Sequence, residues 1–588
     1  MSQGRITVVG GGLAGLMATI KIAELGIGVD LFSILTVKRS NSVCAQGGIN
    51  GAINTKGESD SIEHHFHDTL CEGDYLADQL AVKAMCEMAP EIIYMFDRMG
   101  VPFNRTKEGL IDFRRSSGTL FRRTAFSGAT TGQQLLYALD EQVRRYESES
   151  LVQKYEGWEF LSAVLDDKGI ARGLVAMHLN TLEVKAFVAD AIIIATGGIG
   201  AIFGRSTNSM VCTGNPQSVL YQQGAKYANA EFIQVHPTTI FGEDKLRLIS
   251  ESARSEGGRL WVPRAREDKR LSTDIPDKER WYFLEEKYPK YGNLVPSDIA
   301  TREIFQVCLD GYGIDGKMQV YLDLTHKSTA ELNSRLKGTL DIYKNFMRED
   351  PHKVPMRVFP GMHYTMGGLW VDINQKTSLD GIYAAGECDF SIHGANRLGA
   401  NSLVSCVYGG IVSGISAFNY VKGLEKTLDI SEPIFEIKRS QEEEFNNSLS
   451  KQTGVENAQL LHQEMGRYMT ENVTVIRGNK QLQDTDNKLQ ELQERFNQID
   501  LNESNFWASQ SLPHARSLRN MLELARVITL CALARNESRG AHYKPEFPER
   551  DDENWLKTTI ATYTLNGPEV SYQETDTSLV TPKPRKYN

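Results

Sequence analysis

The first thirty-odd residues set two hydrophobic periods side by side. Ile6-Thr7-Val8-Val9 is a short apolar run ending at glycine, which predicts a buried strand. Leu16, Ile20 and Ile22 then recur among Ala and Lys, a helical pattern, and Val29-Asp30-Leu31-Phe32 returns to a strand. Residues 76–99, from Leu76 through Met99, read as helix and close at Gly100-Val101-Pro102-Phe103. Ala129–Gln134 opens another helix with Thr130 and Thr131 placed as caps. Phe160–Leu165 and Leu174–Met177 are strands set apart by turns at Gly169 and Gly173, and Ala191–Ile194 is a second buried strand running into Ala195-Thr196-Gly197-Gly198. Between about 242 and 355 the composition turns charged and aromatic, as in Asp277–Tyr291 and His326–Arg348, which predicts an inserted domain. The first fold resumes with Gly367–Val371 and Gly381–Glu387. From about 435 the chain is helical and polar, with Lys488, Leu489, Leu492 and Phe496 at helical spacing. A tail rich in proline and charge follows Pro545 and should wrap a surface.

Gly10-Gly11-Gly12-Leu13-Ala14-Gly15 sits between the first strand and the first helix. Strand, glycine turn, helix and strand in that order are the context in which such glycines bind a dinucleotide. They allow a tight turn, and they let backbone N–H groups at the helix start approach a pyrophosphate. Thr196-Gly197 is a second approach point on the same sheet. Residues 37–54, small, polar and glycine-rich, suit a loop lying against a ligand.

At 588 residues the chain should divide into two to four domains. Its 41% hydrophobic and 24% charged content is that of a soluble globular protein, and a net charge of −10 argues against a nucleic-acid binder. The first strand begins almost at Met1 and no uninterrupted apolar stretch looks long enough to span a bilayer. The expectation is therefore a cytoplasmic protein that meets a membrane, on its inner face, only through partners. Eight scattered cysteines without a CxxC pair fit reduced thiols. Glu63-His64-His65-Phe66-His67-Asp68 invites a metal reading, but adjacent histidines diverge on any regular element, and no metal is expected.

Several longer runs carry a family resemblance: CAQGGINGAINTKGE (44–58), ATTGQQLLYALDEQVRRYE (129–147), QVHPT (234–238), HYTMGGLWVD (363–372), AAGEC (384–388), HGANRLGANSL (393–403) and NESRGAHYKPEFPERDDENW (536–555). Over nearly its full length the chain resembles the flavoprotein subunit of succinate dehydrogenase and fumarate reductase, in its Bacillus-like branch. The resemblance implies an α/β fold: a discontinuous Rossmann-like FAD-binding domain (1–241 and 356–432), an inserted α+β capping domain (242–355), a helical domain (433–544) and a tail (545–588). It implies FAD, held by Gly10, Gly12, Leu13, Ala14, Gly15, Ser33, Lys38, Ser40, Ala45, Gln46, Gly47, Gly48, Thr196, Gly197, Asn215, Glu387, Ser402 and Leu403. Ser33 stands where the generic fingerprint has an acid, as it does in similar family members. His236, His363 and Arg397 match the family's ligands for a small dicarboxylate, Arg397 gripping one carboxylate through paired donors. Glu251 and Arg254 match its proton relay. The 536–555 run implies docking of an iron–sulfur subunit with its membrane anchor, or closure over the FAD domain.

Four positions depart from the family pattern. Asn41 replaces the flavin-linking histidine, and a carboxamide has no ring nitrogen to bond the flavin methyl group, so FAD is expected to bind non-covalently. Ser116 replaces a phenylalanine beside the substrate. Ser297 replaces the arginine that exchanges a proton with the substrate carbon, and serine is a poor acid or base without help. Ser255 sits on the relay itself. Three readings follow: an ordinary family enzyme, a paralogue working on an amino or otherwise substituted carboxylic acid, and a catalytically silent FAD-binding protein.

Overall fold

The computed structural model describes residues 4–119, 121–424, 428–501 and 507–585. Strand β1 (Arg5–Val9) leads through the glycine turn into helix α1 (Leu13–Glu24), and the chain returns in β2 (Gly28–Ser33). β3 (Val152–Glu156) and β4 (Ala191–Ile194) follow. The insert is bracketed by β5 (Ile233–Phe241) and β6 (Met356–Thr365), with helix α2 (Ser297–Val307) between them. β7 (Ile382–Ala384) and helix α3 (Asn401–Lys422) complete the dinucleotide domain.

A parallel sheet in the order β7-β4-β1-β2-β3 is its centre. β1 and β4 are apolar on both faces because both faces are covered, as parallel sheets require. Their register sets the site. Val9 pairs with Phe32 on one side and Ile194 on the other, and Ile194 pairs with Ala384. The glycine turn, Ser33, Thr196-Gly197 and Ala385-Gly386-Glu387 therefore leave the sheet at one carboxyl edge, where open α/β sheets bind ligands.

The helix of residues 76–99 is Gln79–Arg98, capped by the Asp78 side chain rather than starting at Leu76. The helix predicted near 130 is Thr131–Ser148, but neither threonine caps it in the ordinary way. The Thr130 hydroxyl donates to the Ser127 carbonyl at 3.2 Å, and Thr131 Oγ1 accepts the Ser127 N–H at 3.1 Å, fastening the preceding turn instead.

The sheet of the insert is wider than composition suggested. Its six antiparallel strands run Leu246–Leu248, β5, β6, Val320–Asp323, Arg259–Pro263, Arg280–Trp281. It draws in 233–241 and 356–365, which are buried and apolar enough to read as continuations of the first domain.

The expectation that no apolar segment reaches bilayer length needs correction. Among the described residues α3 is long and apolar enough, at a mean hydropathy of 1.3. It lies inside, against α1: a Cβ on Gly410 would come within 2.4 Å of the Ala14 carbonyl. Its composition is that of a core helix pressed against another.

The C-terminal helices Pro433–Ser450, Ala458–Val473, Asn479–Phe496 and Ser511–Ala534 bury Leu489, Leu492 and Phe496 in a core shared with Val9, Phe32 and Ile194 of the sheet. Lys488 stays outside this core and pairs with Glu464 at 2.8 Å. The first half of the 536–555 run, through Lys544, turns its charged groups inward, whereas Glu546, Glu549, Asp552 and Glu553 are exposed. Arg535 and Arg539 both grip Glu537, and all three are essentially without exposure. The tail adds the hairpin Lys557–Thr562/Glu569–Glu574 and is pinned where Gln79 accepts the N–H groups of Leu579 and Val580.

Candidate active site

A cavity of about 800 Å³ opens at the carboxyl edge of the parallel sheet and runs to the face of the insert. At the sheet end the glycines leave room for a ligand. Gly10, at φ +120°, has no space for a side chain, since a Cβ would lie 2.1 Å from the Ala195 carbonyl. Gly15 is tighter still, its Cβ falling 1.8 Å from the Gly10 carbonyl. Gly47 and Gly197 instead have open space where a Cβ would stand.

Most residues assigned to the cofactor line this cavity: Gly10, Gly12, Leu13, Ala14, Ser33, Ser40, Ala45, Gln46, Gly47, Gly48, Thr196, Gly197, Asn215, Glu387, Ser402 and Leu403. Two do not. Gly15 is needed for the turn and lies beneath the wall. Lys38 points away, paired with the buried Asp140 at 3.5 Å and lying over the Tyr137 ring. Position alone suggested Lys38; the buried carboxylate behind it decides where the ammonium goes.

The wall offers what a dinucleotide needs. Ser40 Oγ and Gln46 Oε1 are buried there without partners, and the first amide of α1, at Leu13, points to Ser42 Oγ at 3.2 Å. Glu387 accepts the Thr365 N–H at 3.1 Å, and burial lifts its carboxyl to about 7. Asn215 donates to Glu159 at 3.0 Å, a buried carboxyl likewise raised to about 7 by burial. This donor set fits FAD: hydroxyls and amides for ribityl and ribose, open backbone for phosphates. Asn41 also lines the cavity, its Oδ1 accepting the Ser209 N–H at 2.8 Å.

At the insert end β5, β6 and the 393–403 loop bring His236, His363 and Arg397 together. The rings of His236 and His363 stand 5.3 Å apart, edge to face. The Thr238 N–H donates to His236 Nδ1 at 3.2 Å, which leaves the proton of the neutral ring on Nε2, buried and unpartnered. Nε2–H is thus a donor waiting for an acceptor. His363 Nδ1 meets Thr207 Oγ1 at 2.7 Å. Burial holds both rings far below the ordinary imidazole value, helped by Arg254 and Arg397 at His236 and by His236 and Arg397 at His363. Arg397 lies over the Tyr364 ring with its Nε buried and unpartnered, and its carbonyl accepts from Gln234 at 2.9 Å.

Glu251 lines the same end of the cavity, and Ser297, the first residue of α2, donates to its Oε1 at 2.5 Å. Arg254 does not reach the cavity wall. Its Nη1 donates to the Asn293 carbonyl at 2.9 Å, and its Nη2 is 3.7 Å from Glu251. Ser116, on the wall, shares a proton with Thr124 Oγ1 at 2.7 Å. Ser255 only gives its N–H to the Glu251 carbonyl, at 3.0 Å. Thr207 and Thr238, which orient the rings of His363 and His236, and Gln234, which holds the Arg397 backbone carbonyl, are residues that sequence reasoning left unread, although Gln234 and Thr238 flank His236 within the quoted run.

Residues 5–403 match the model of an FAD binding domain, and residues 462–587 that of the fumarate reductase flavoprotein C-terminal region. The chain belongs to the flavoprotein-subunit family of succinate dehydrogenase and fumarate reductase. It is 60% identical over 592 residues to the succinate dehydrogenase flavoprotein subunit of Bacillus subtilis, covering 100% of this chain and 99% of that one. The fumarate reductase flavoprotein subunit of Escherichia coli is 32% identical, over 100% of this chain and 96% of its own. Among solved structures, a variant of the Escherichia coli quinol fumarate reductase flavoprotein superposes with a TM-score of 0.91 at 31% identity, covering 99% of this chain and 98% of that one. This flavoprotein is an FAD-dependent oxidoreductase of that type, acting on a dicarboxylate. Among its described residues no group of three or more His, Cys, Asp or Glu side chains is placed to hold a metal.

Proposed function

We propose that this flavoprotein orients a four-carbon-class dicarboxylate with Arg397 at one carboxylate and His236 Nε2–H and His363 at the other. The observation that carries the reading is the convergence, on the cavity that begins at the glycine turn, of buried His236 and Arg397, each with an unpartnered nitrogen, and of half-buried His363. FAD, when bound, supplies a hydride acceptor or donor at N5. Arg397 neutralises and aligns one end through parallel N–H donors. The two imidazoles, neutral at physiological pH, act as hydrogen-bond donors rather than charges, and the buried wall excludes water. Glu251 and Ser297 stand where a proton would be exchanged with solvent through Arg254. With serine in place of the family's arginine, succinate turnover should be about a hundred- to ten-thousandfold slower than an ordinary family rate. Binding should suffer less, lowering kcat more than it raises KM.

Two of the solved relatives are quinol fumarate reductases, one of them described with menaquinol molecules. That supports a role as the flavoprotein subunit of a larger complex, peripheral to a membrane and reached through an iron–sulfur partner and an anchor. The inward-facing first half of the 536–555 run supports closure over the FAD domain, since Glu537 and Arg539 are spent on the chain's own residues, while the exposed acidic second half leaves a surface for a partner.

Anaerobic bleaching of the flavin by succinate, and fumarate reduction with an artificial donor, test the reading. Arg397→Ala and His363→Ala should each abolish both signals while leaving flavin bound. Unchanged bleaching in either variant would remove these residues from the site.

A further inference from the structure

Among the described residues Glu251 has an arginine in ion-pair range, Arg254, but no cation within hydrogen-bond range. Ser297 Oγ donates to Oε1, but Ser297 itself does not reach the cavity wall, whereas Glu251 does. The charged groups around it are loosely placed. Arg254 Nη2 is 3.7 Å away, outside hydrogen-bond range, and His236 Nε2, at 3.8 Å, belongs to a ring that burial keeps neutral. Other charges on the wall are turned elsewhere. Lys245 gives its ammonium to the Thr207 carbonyl, Arg114 holds the carbonyls of Gln46 and Gly47, and Arg247 pairs with Asp244. Glu387 is tied to the Thr365 amide.

A bare dianion in this end of the cavity would meet one guanidinium, Arg397, and one carboxylate, Glu251. The second carboxylate of such a ligand has only neutral donors, and Glu251 repels it. A ligand that carries its own cation beside the second carboxylate removes both difficulties. We propose that this site takes a 2-aminodicarboxylate, its ammonium group on the Glu251 carboxylate and its far carboxylate on Arg397. Ser116 favours the same ligand, because its short side chain is turned to Thr124 and leaves the wall beside it free for a substituent on the carbon chain. The inference rests on the functional reading above and narrows its substrate class.

The FAD-loaded protein, titrated with succinate, L- and D-aspartate and L-malate, provides the test, read by flavin difference absorbance and by calorimetry. One enantiomer of aspartate should bind about tenfold or more tighter than succinate, the worth of one charge-assisted bond. Malate should stay near succinate, because a hydroxyl brings no charge. Ser297→Arg should reverse the order by returning a cation to Glu251, and Glu251→Gln should erase aspartate's advantage while the flavin spectrum shows the fold intact. Succinate binding as tightly as both aspartates, malate gaining as much as aspartate, or a Ser297→Arg protein with an unchanged ratio would each overturn the ammonium site. If succinate binds and bleaches the flavin while aspartate does not, this inference alone falls. If no dicarboxylate perturbs the flavin, the functional reading falls with it.

Discussion

Asn41 occupies the cavity wall with its amide oxygen engaged by the Ser209 N–H. No covalent link to flavin is open to it, so acid precipitation should release the colour into the supernatant. Asn41→His returns a ring nitrogen to the same loop. It should produce a flavin-fluorescent protein band on a denaturing gel; a band that stays dark would show that the loop no longer presents position 41 to the flavin. His236 and His363 invite a second prediction. A histidine that must be charged to hold an anion makes binding tighten as pH falls through its pKa. These two sit well below the ordinary value, mainly through burial, and stay neutral. In a Glu387→Gln background, which removes a wall carboxyl lifted to about 7, affinity for a dicarboxylate should therefore be flat from about pH 8 to 6, within an ordinary imidazole's titration range and apart from the ligand's own ionisation. A tenfold gain across that range, measured by calorimetry, would show a charged imidazole.

At the scale of elements, α1 and α3 determine whether the cavity exists. α1 starts at the glycine turn, and the first turn of α3 puts Ser402 and Leu403 on the cavity wall, so their close crossing fixes both ends of the flavin site. Gly410 permits that approach. Gly410→Val would drive its side chain into the Ala14 carbonyl and separate the helices, an overpacking cost of about 1–3 kcal/mol or more. The variant should purify with much less flavin, read from the ratio of flavin to protein absorbance. Full loading would mean that the two helices can shift apart without disturbing the wall.

Across the whole molecule, the tail closes on the region behind the substrate site. Arg585 reaches Asp298 at 3.1 Å and Asp74 at 3.1 Å, and Glu72 lies 3.8 Å away. Asn396, beside Arg397, donates to that same Glu72 at 2.6 Å. Glu72 is already raised to about 8 by burial, against the pull of Arg585. Arg585→Ala should leave Asp74 to Arg550 and Asp298 to Arg302, so the cost should fall below the roughly 3–5 kcal/mol of an orphaned buried charge. Amide exchange should quicken in residues 575–585 and in the 393–399 loop, and substrate affinity should fall with it. Exchange confined to the tail would separate the two.

The glycine turn, the strands around it and the 393–403 run were legible as sequence because their chemistry is local. A tight turn needs glycine at fixed offsets, and buried parallel strands need continuous apolar residues. Ser297 and Asn41 could likewise be read as departures, since a missing functional group shows in the residue itself. Lys38 could not be placed, because its ammonium answers to Asp140, a hundred residues away in sequence. The same holds for the α3 interior, whose burial depends on α1, and for the insert, whose sheet borrows β5 and β6 from stretches that look like the first domain. The pairing of Ser297 with Glu251 and the return of Arg585 to Asp298 are likewise products of distance closed by folding. They depend on which groups share a low-dielectric space, and only tertiary packing decides that.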